Sequence, residues 1–329
     1  MKRMFALIVT VGISIFCLVR PSVWAADFPA KAVTIINPMS PGGSRDVTAR
    51  AFASVAEKLL GQPVVVVNKP GAGGMIGMVA GAQAAPDGYT LTVTSSGDTC
   101  SLLWEVANDR KPPFRLNDFS PIGSWLLTSS LVVVPYNSPW KTLADLVRDC
   151  KSKPGHYAYA SGGMYGITHI SAEILLKAGG ITARNVPYKG GGPSLTAVVG
   201  SHVDFSLQYP PTSIPLAQGN KLRILAILAD KRMKSIPDVP TVKEALGVDA
   251  ESYQMVGLLA PRKTPGPVLQ KLRETLAKGV KDKTFVDAVT SMGEEVYFMD
   301  ADELGKYLER EAEKISKIMA ELAKEASKK

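Results

Sequence analysis

A two-domain α/β fold is what the sequence predicts, on three observations. Apolar β-branched runs alternate with helical patterns, which argues for a mostly parallel sheet with helices on both faces. A strand, a glycine turn and a helix start follow one another three times, at Val33–Arg50, Tyr157–Lys177 and Asn185–Val199. The 329 residues suffice for two domains of ordinary size. No fixed-period repeat or low-complexity linker divides them, so short crossings should join the domains.

The first of these stretches reads V-T-I-I-N-P-M-S-P-G-G-S-R-D-V-T-A-R. Val33, Ile35 and Ile36 suit a buried strand. Pro38 and Pro41 end it, because each lacks an N–H and fixes φ. Gly42 and Gly43 turn the chain, Ser44 or Asp46 can cap the next helix, and Val47, Ala51, Val55 and Leu59 recur at helical spacing. Such a turn gathers unpaired N–H groups at the positive end of a helix dipole and attracts anions. A plain βα turn with glycines for packing is the other reading. A phosphate loop is excluded, since no Gly-Lys-Ser/Thr follows at the required spacing.

Further along, strands are expected at Val64–Asn68, Thr90–Thr94, Ile122–Val134, Tyr157–Ala160, Asn185–Tyr188, Val203–Leu207, Leu222–Ala229, Gln254–Ala260 and, briefly, Val296–Phe298. Helices are expected at Met75–Ala85, from Thr142 to about Cys150, Ile167–Lys177, Ser194–Val199, Thr212–Gln218, Pro265–Val280, Thr284–Ser291 and Ala301–Ala326. Thr142 and Asp145 have capping-box spacing. Ser95–Asp118, with its Pro112-Pro113, reads as an irregular surface excursion.

Residues 1–25 have the form of a secretory signal: Lys2 and Arg3, an apolar core at Ala6–Val19, and a cleavage site at Val23-Trp24-Ala25. The apolar core falls short of the ~20 residues a membrane span needs. A soluble exported protein beginning near Ala26 is expected, periplasmic in a cell with two membranes. The formal net charge is +8, of which Lys2, Arg3 and Arg20 carry three, leaving +5. Those charges are scattered with no aromatic-studded basic stripe, which argues against nucleic acid. Cys100 and Cys150 remain after cleavage, and sequence gives no distance between them.

Catalytic patterns are wanting. His156, His169 and His202 stand at no metal-ligand spacing, and neither His-Glu-x-x-His nor Gly-x-Ser-x-Gly occurs. The acidic residues cluster in the C-terminal helices as a solvated face, apart from Asp46 beside the first glycine turn. The residues favour a binder of small anions over an enzyme, with no cofactor or metal.

The chain resembles the Bug family of extracytoplasmic solute receptors, the substrate-binding proteins of tripartite tricarboxylate transporters. The likeness is carried in order by Pro41-Gly42-Gly43-Ser44 with Asp46, Gly61-Gln62-Pro63-Val64-Val65-Val66 with Asn68, and Pro70-Gly71-Ala72-Gly73-Gly74 with Ile76-Gly77. Pro86-Asp87-Gly88-Tyr89-Thr90-Leu91, Tyr159-Ala160-Ser161 and Gly163 with His169 follow. Val186-Pro187-Tyr188-Lys189-Gly190-Gly191 with Pro193, Pro237-Asp238-Val239-Pro240-Thr241 and Gly257-Leu258-Leu259-Ala260-Pro261 complete the series.

The resemblance implies a type II-like periplasmic-binding fold that closes on ligand like a flytrap, with domains at 26–128 plus 252–329 and at 129–251. The chain would cross between them near Ser124–Pro135 and Asp249–Leu259. The ligand would be a small carboxylate held by Ser40, Gly42, Gly43, Ser44, Arg45 and Asp46 of the first loop. Ser161, Gly163, Met164, Tyr165 and Thr168 of the second loop would join them, with Tyr188, Gln208 and Tyr209. A monomer would deliver this ligand to one large and one small membrane subunit. Two alternatives are a receptor reporting to a membrane sensor kinase, and an exported hydrolase using Ser161 or Asp46 with His169.

The chain departs from the family pattern inside this loop set. Met164, Tyr165, Gly166 and Ile167 replace an Asn-Gly-Ser-Thr-like run, Gln208-Tyr209 replaces an Asp-Asn pair, and Arg45 replaces a small hydroxyl residue. These changes point to a carboxylate with a less polar, aromatic body. Arg45 either faces solvent or pairs with a second carboxylate.

Overall fold

A computed structural model describes residues 28–326; the leader expected at residues 1–25 lies outside the described residues. Val33–Asn37 (β1), Ser44–Leu60 (α1), Val64–Asn68 (β2), Met75–Ala82 (α2) and Thr90–Ser95 (β3) begin the first half of the molecule. β1 lies between β2 and β3 and runs parallel to both. α1 buries Ala49, Phe52, Ala53, Val55 and Ala56 against that sheet, and Gly61 ends it at φ 69°, its N–H returning to Glu57 O.

The stretch read as irregular opens with a helix, Ser96–Ala107 (α3). Ser95 accepts from the Gly97 N–H, and the Asp98 carboxylate accepts from the Ser95 N–H, so the start is capped from both sides. Ser96, Gly97, Thr99 and Ser101 are poor helix formers, which hid the element from a periodicity search.

Phe119–Pro135 (β4) then runs through both halves. Phe119–Ser129 pairs antiparallel with Tyr253–Pro261 (β9), whereas Ser130–Pro135 pairs with Phe205–Gln208 (β7) and Leu222–Leu228 (β8). The second half is completed by Leu143–Ser152 (α4), Ala158–Ser161 (β5), Ile167–Gly179 (α5), Arg184–Pro187 (β6), Gly191–Val199 (α6), Pro210–Gln218 (α7) and Val242–Leu246 (α8). β5 lies parallel to β6 and β7. Each half is therefore parallel at its outer part, with antiparallel pairing along the two shared strands. The Thr142–Asp145 capping box forms as read.

Gly266–Gly279 (α9), Lys283–Ser291 (α10) and Ala301–Ala326 (α11) return to the first half. The brief strand expected at Val296–Phe298 is absent; a lone bridge joins Ser124 to Met299 instead. Two cores lie under the two halves, one around Phe52, Trp125 and Phe285 and one around Trp140, Tyr159 and Phe205. α11 leaves the first half: Leu304 and Leu308 pack there, while Ile315 and Met319 meet Cys100 of α3 and Ile170 of α5. This apolar seam ties the halves together. Cys100 and Cys150 are both free and buried.

Glu294, after α10, lies buried against the point where β4 changes partners, and its carboxyl accepts from the Thr128 hydroxyl. Burial pushes that carboxyl from its ordinary 4.5 up to about 8, and the Thr128 hydroxyl pulls back only in part. The folded chain thus keeps a proton that the unfolded chain releases near 4.5, so stability should fall as pH rises between those values. Thermal melts from pH 5 to 8 should show wild type losing stability more steeply than Glu294→Gln; equal slopes would contradict this.

Candidate functional site

Five helix starts among the described residues are closed by a side chain. Ser95, Thr142, Thr241 and Asp282 cap α3, α4, α8 and α10, and Asp300 accepts from two N–H groups at the start of α11. Three helices that begin between the two halves have no such cap: α1 at Gly43, α5 at Gly166 and α6 at Gly190. α2 at Gly74, α7 at Tyr209 and α9 at Pro265 also lack one; α7 opens on Pro210-Pro211, which have no N–H to offer, and the Gly266-Pro267 start of α9 is exposed. The sequence reading gave the α1 cap to Ser44 or Asp46. Asp46 instead turns back to accept from the Gly42 N–H at 3.0 Å, and Ser44 Oγ, although buried, has no partner.

The three starts surround one narrow chamber of about 50 Å³. Ser40, Gly43, Ser44, Arg45, Asp46, Thr168, Gln208 and Tyr209 of the expected set line it. Gln254, Gly162, Gly166, Ile167, Gly190, Gly191 and Met39 line it as well. Three buried polar atoms of residues that line it are unpartnered: Ser44 Oγ, Arg45 Nε and Gln254 Oε1. Unpaired buried polar groups are costly, so their concentration here marks a place for a polar guest. Burial pushes the Tyr209 phenol well up, and Ser130 and Ser171, which also bond to one another, pull it back only in part, so the hydroxyl is directed at those serines.

Electrostatics refine the picture. Arg45 is buried and faces no solvent: its Nη1 sits 3.1 Å from both oxygens of Asp98, and its Nη2 donates to Ser95 Oγ. Burial lifts the Asp98 carboxyl, and the Arg45 guanidinium, the Ser95 N–H and the Thr94 hydroxyl offset that only in part. The Arg45 charge is thus already matched, leaving Nε toward the chamber. Asp46 is turned away from it. Burial acts to raise the Asp46 carboxyl, but Arg50, the Gly42 N–H, Asn68 and Asn37 outweigh this and hold it below its usual range. What the chamber offers an anion is N–H groups and the positive ends of helix dipoles, not a free cation.

Met39 and Gly162 form a wall shared with an outer vestibule of about 390 Å³. Gly163, Met164, Tyr165 and Tyr188 line it, together with Trp104, Glu105 and Lys189, which the sequence reading did not single out. Tyr165 holds the left-handed φ of 56°, its N–H donating to His169 Nδ1 at 2.8 Å. Its ring stacks on Trp104 of α3 at 3.3 Å between centroids and 11° between planes. Across the cleft the glycine turns touch backbone to backbone. A Cβ on Gly192 would lie 2.4 Å from Pro41 O, and Ser40 Oγ donates to Lys189 O at 2.6 Å. Glycine is required there by proximity.

Gly42 and Ser161 line neither space. Gly42 supplies the turn at φ 81°, and buried Ser161 donates to Gly163 O at 3.3 Å. No hydrogen bond among the described residues links Ser161, His169 and Asp46 as a catalytic relay. His169 is engaged by Tyr165 and by Glu173, 3.4 Å from its Nε2. Trp104 was missed because its helix was missed, and Gln254 because a lone polar residue in a buried strand carries no motif. Removing Asp98 would leave Arg45 charged and buried, costing roughly 3–5 kcal/mol. Urea unfolding of Asp98→Ala should show this; a loss below about 1 kcal/mol would mean Arg45 finds another partner.

Comparison with known proteins places this geometry. A profile described as tripartite tricarboxylate transporter family receptor matches residues 48–323. The UPF0065 protein in the gbd 5' region of Cupriavidus necator is 32% identical, over 91% of this chain and 89% of its own. The periplasmic binding protein BugD superposes with a TM-score of 0.84 at 27% identity, covering 89% of this chain and 98% of its own. MatC from Rhodopseudomonas palustris, solved with bound malate, gives 0.80 at 27% identity, over 89% of this chain and all of its own. These are solute-binding receptors of mixed α/β fold, and the chain belongs to their family, the tripartite tricarboxylate transporter family receptors.

Proposed function

We propose that the chain is a periplasmic receptor that closes on a small carboxylate and delivers it to the large and small membrane subunits of a transporter. Its two domains would be residues 26–128 with 252–329, and residues 129–251, and β4 and β9 would be the crossings. The observation that carries this reading is the meeting of three uncapped helix starts with three orphaned polar atoms at one chamber. A carboxylate supplies acceptors for the donors among them, the helix-start N–H groups, Ser44 Oγ and Arg45 Nε. Among the described residues no helix is long and apolar enough to cross a membrane. That MatC was solved with malate supports a carboxylate ligand here.

The ligand's shape follows from the two compartments. The chamber has room for about two waters at ~30 Å³ each, enough for one head group. Its only cation is already neutralised, so a second and third carboxylate would be desolvated without partners. The body would lie in the vestibule among Trp104, Tyr165, Tyr188 and Met164, where a ring or methylene chain gains about 25 cal/mol per Å² buried. Lys189 stands there for an outer negative end. Calorimetry with citrate, malate, succinate, benzoate and terephthalate should give one-to-one binding without product, an aromatic or dicarboxylic acid binding tighter than citrate. Turnover, or citrate as the tightest ligand, would contradict the reading.

Closure makes a second test. Trp104 and Tyr165 come from opposite halves, so their stack should latch the closed state. Such pairs contribute about 0.5–1.5 kcal/mol beyond burial, so Trp104→Leu should release the tightest acid of that panel roughly two- to tenfold faster. Association should change little. Unchanged dissociation in stopped flow would show that the stack does not hold the cleft.

A further inference from the structure

Gln208, the last residue of β7, is 2% exposed and lines the chamber beside the start of α6. Its Nε2 donates to Ser194 Oγ and to Ser206 Oγ, both at 2.8 Å. Neither serine can reverse that bond. Ser194 gives its hydroxyl proton to Gly191 O at 2.9 Å, and Ser206 gives its own to Ala160 O at 2.8 Å. A hydroxyl has one proton, so both oxygens can only accept from Gln208. The amide is therefore fixed in one orientation, with Oε1 as its free end. Among the described residues none donates to Oε1, which is not fully buried, whereas Gln254 Oε1 of the same wall is buried and unpartnered.

A carboxylate alone cannot satisfy this wall. It accepts hydrogen bonds from the helix starts, Ser44 and Arg45, but it has no proton to offer an amide oxygen. The chamber's 50 Å³ leaves little distance between the anion seat and Gln208. We propose that the ligand carries a hydrogen-bond donor, a hydroxyl or an ammonium, on the carbon next to its carboxylate, and that Gln208 Oε1 selects it. Gln208 is then a specificity-determining residue. Hydroxy acids and amino acids are favoured over plain acids of the same skeleton. This assignment rests on the receptor reading above and narrows its ligand class.

Matched pairs test it: malate and aspartate against succinate, and 3-phenyllactate and phenylalanine against 3-phenylpropionate, each titrated by calorimetry into the mature protein. In at least one set a donor-bearing acid should bind tighter than its plain counterpart by about tenfold, as an acceptor that the bound ligand closes off from water and leaves unpaired requires. In Gln208→Met, which keeps the side chain's length without an amide oxygen, that ratio should fall towards one. If the variant does not fold, the wild-type ratios remain decisive. Equal affinities within every set would overturn the donor assignment and leave the receptor reading standing. A preference that survives in folded Gln208→Met would overturn the role of Gln208. Failure of all six acids to bind would remove the receptor reading and this assignment together.

Discussion

Backbone N–H groups at a helix start must find an acceptor, and that requirement organises the rest of this structure. At the starts of α3, α4, α8, α10 and α11 the chain provides Ser, Thr or Asp. Where α1, α5 and α6 converge, it provides glycine, and Ser44 and Asp46, one and three residues beyond the first of these, do not serve as caps. The donors are left open, and the nearest positive charge, Arg45, is occupied by Asp98. A site built from dipoles and N–H groups suits one compact anion better than several charges at once. That balance separates a head-group seat from a multiply charged pocket.

The glycines serve a second constraint. The turns at Pro41–Gly43 and Gly190–Gly192 approach so closely that a single methyl group at Gly192 would meet backbone. Small residues thus let the two loops meet around the chamber while larger ones, Trp104 and Tyr165, meet outside it. The long strands β4 and β9 cross at the same joint, and α11 reaches from one half to pack on the other. In the proposed receptor, opening would part the glycine contact, the aromatic stack and the apolar seam together. The ligand would then have to compensate only part of the cost of closure.

Much of this was legible in the sequence, for identifiable reasons. β-branched runs and helical periodicity marked the strands and most helices, and glycine after a strand marked the turns. The family likeness located both loops, and twelve of its fourteen residues line the chamber or the vestibule. What escaped was decided by partners distant in sequence. Arg45 was read as facing solvent or ligand because nothing local announces Asp98, 53 residues on. α3 was read as loop because its first turns are Ser, Gly and Thr, and a tertiary setting overrides that weak propensity. Gln208 was noted as a departure, but its orientation depends on two serines whose protons are committed elsewhere.

The central claim is that the anion sits on open helix starts and not on a side-chain cation. A crystal structure with the tightest-binding carboxylate tests it most directly. The account expects carboxylate oxygens within about 2.7–3.1 Å of backbone N–H groups at the starts of α1 and α5, with the Arg45–Asp98 pair intact. A carboxylate seated on Lys189 in the vestibule, with the chamber holding only water, would contradict it.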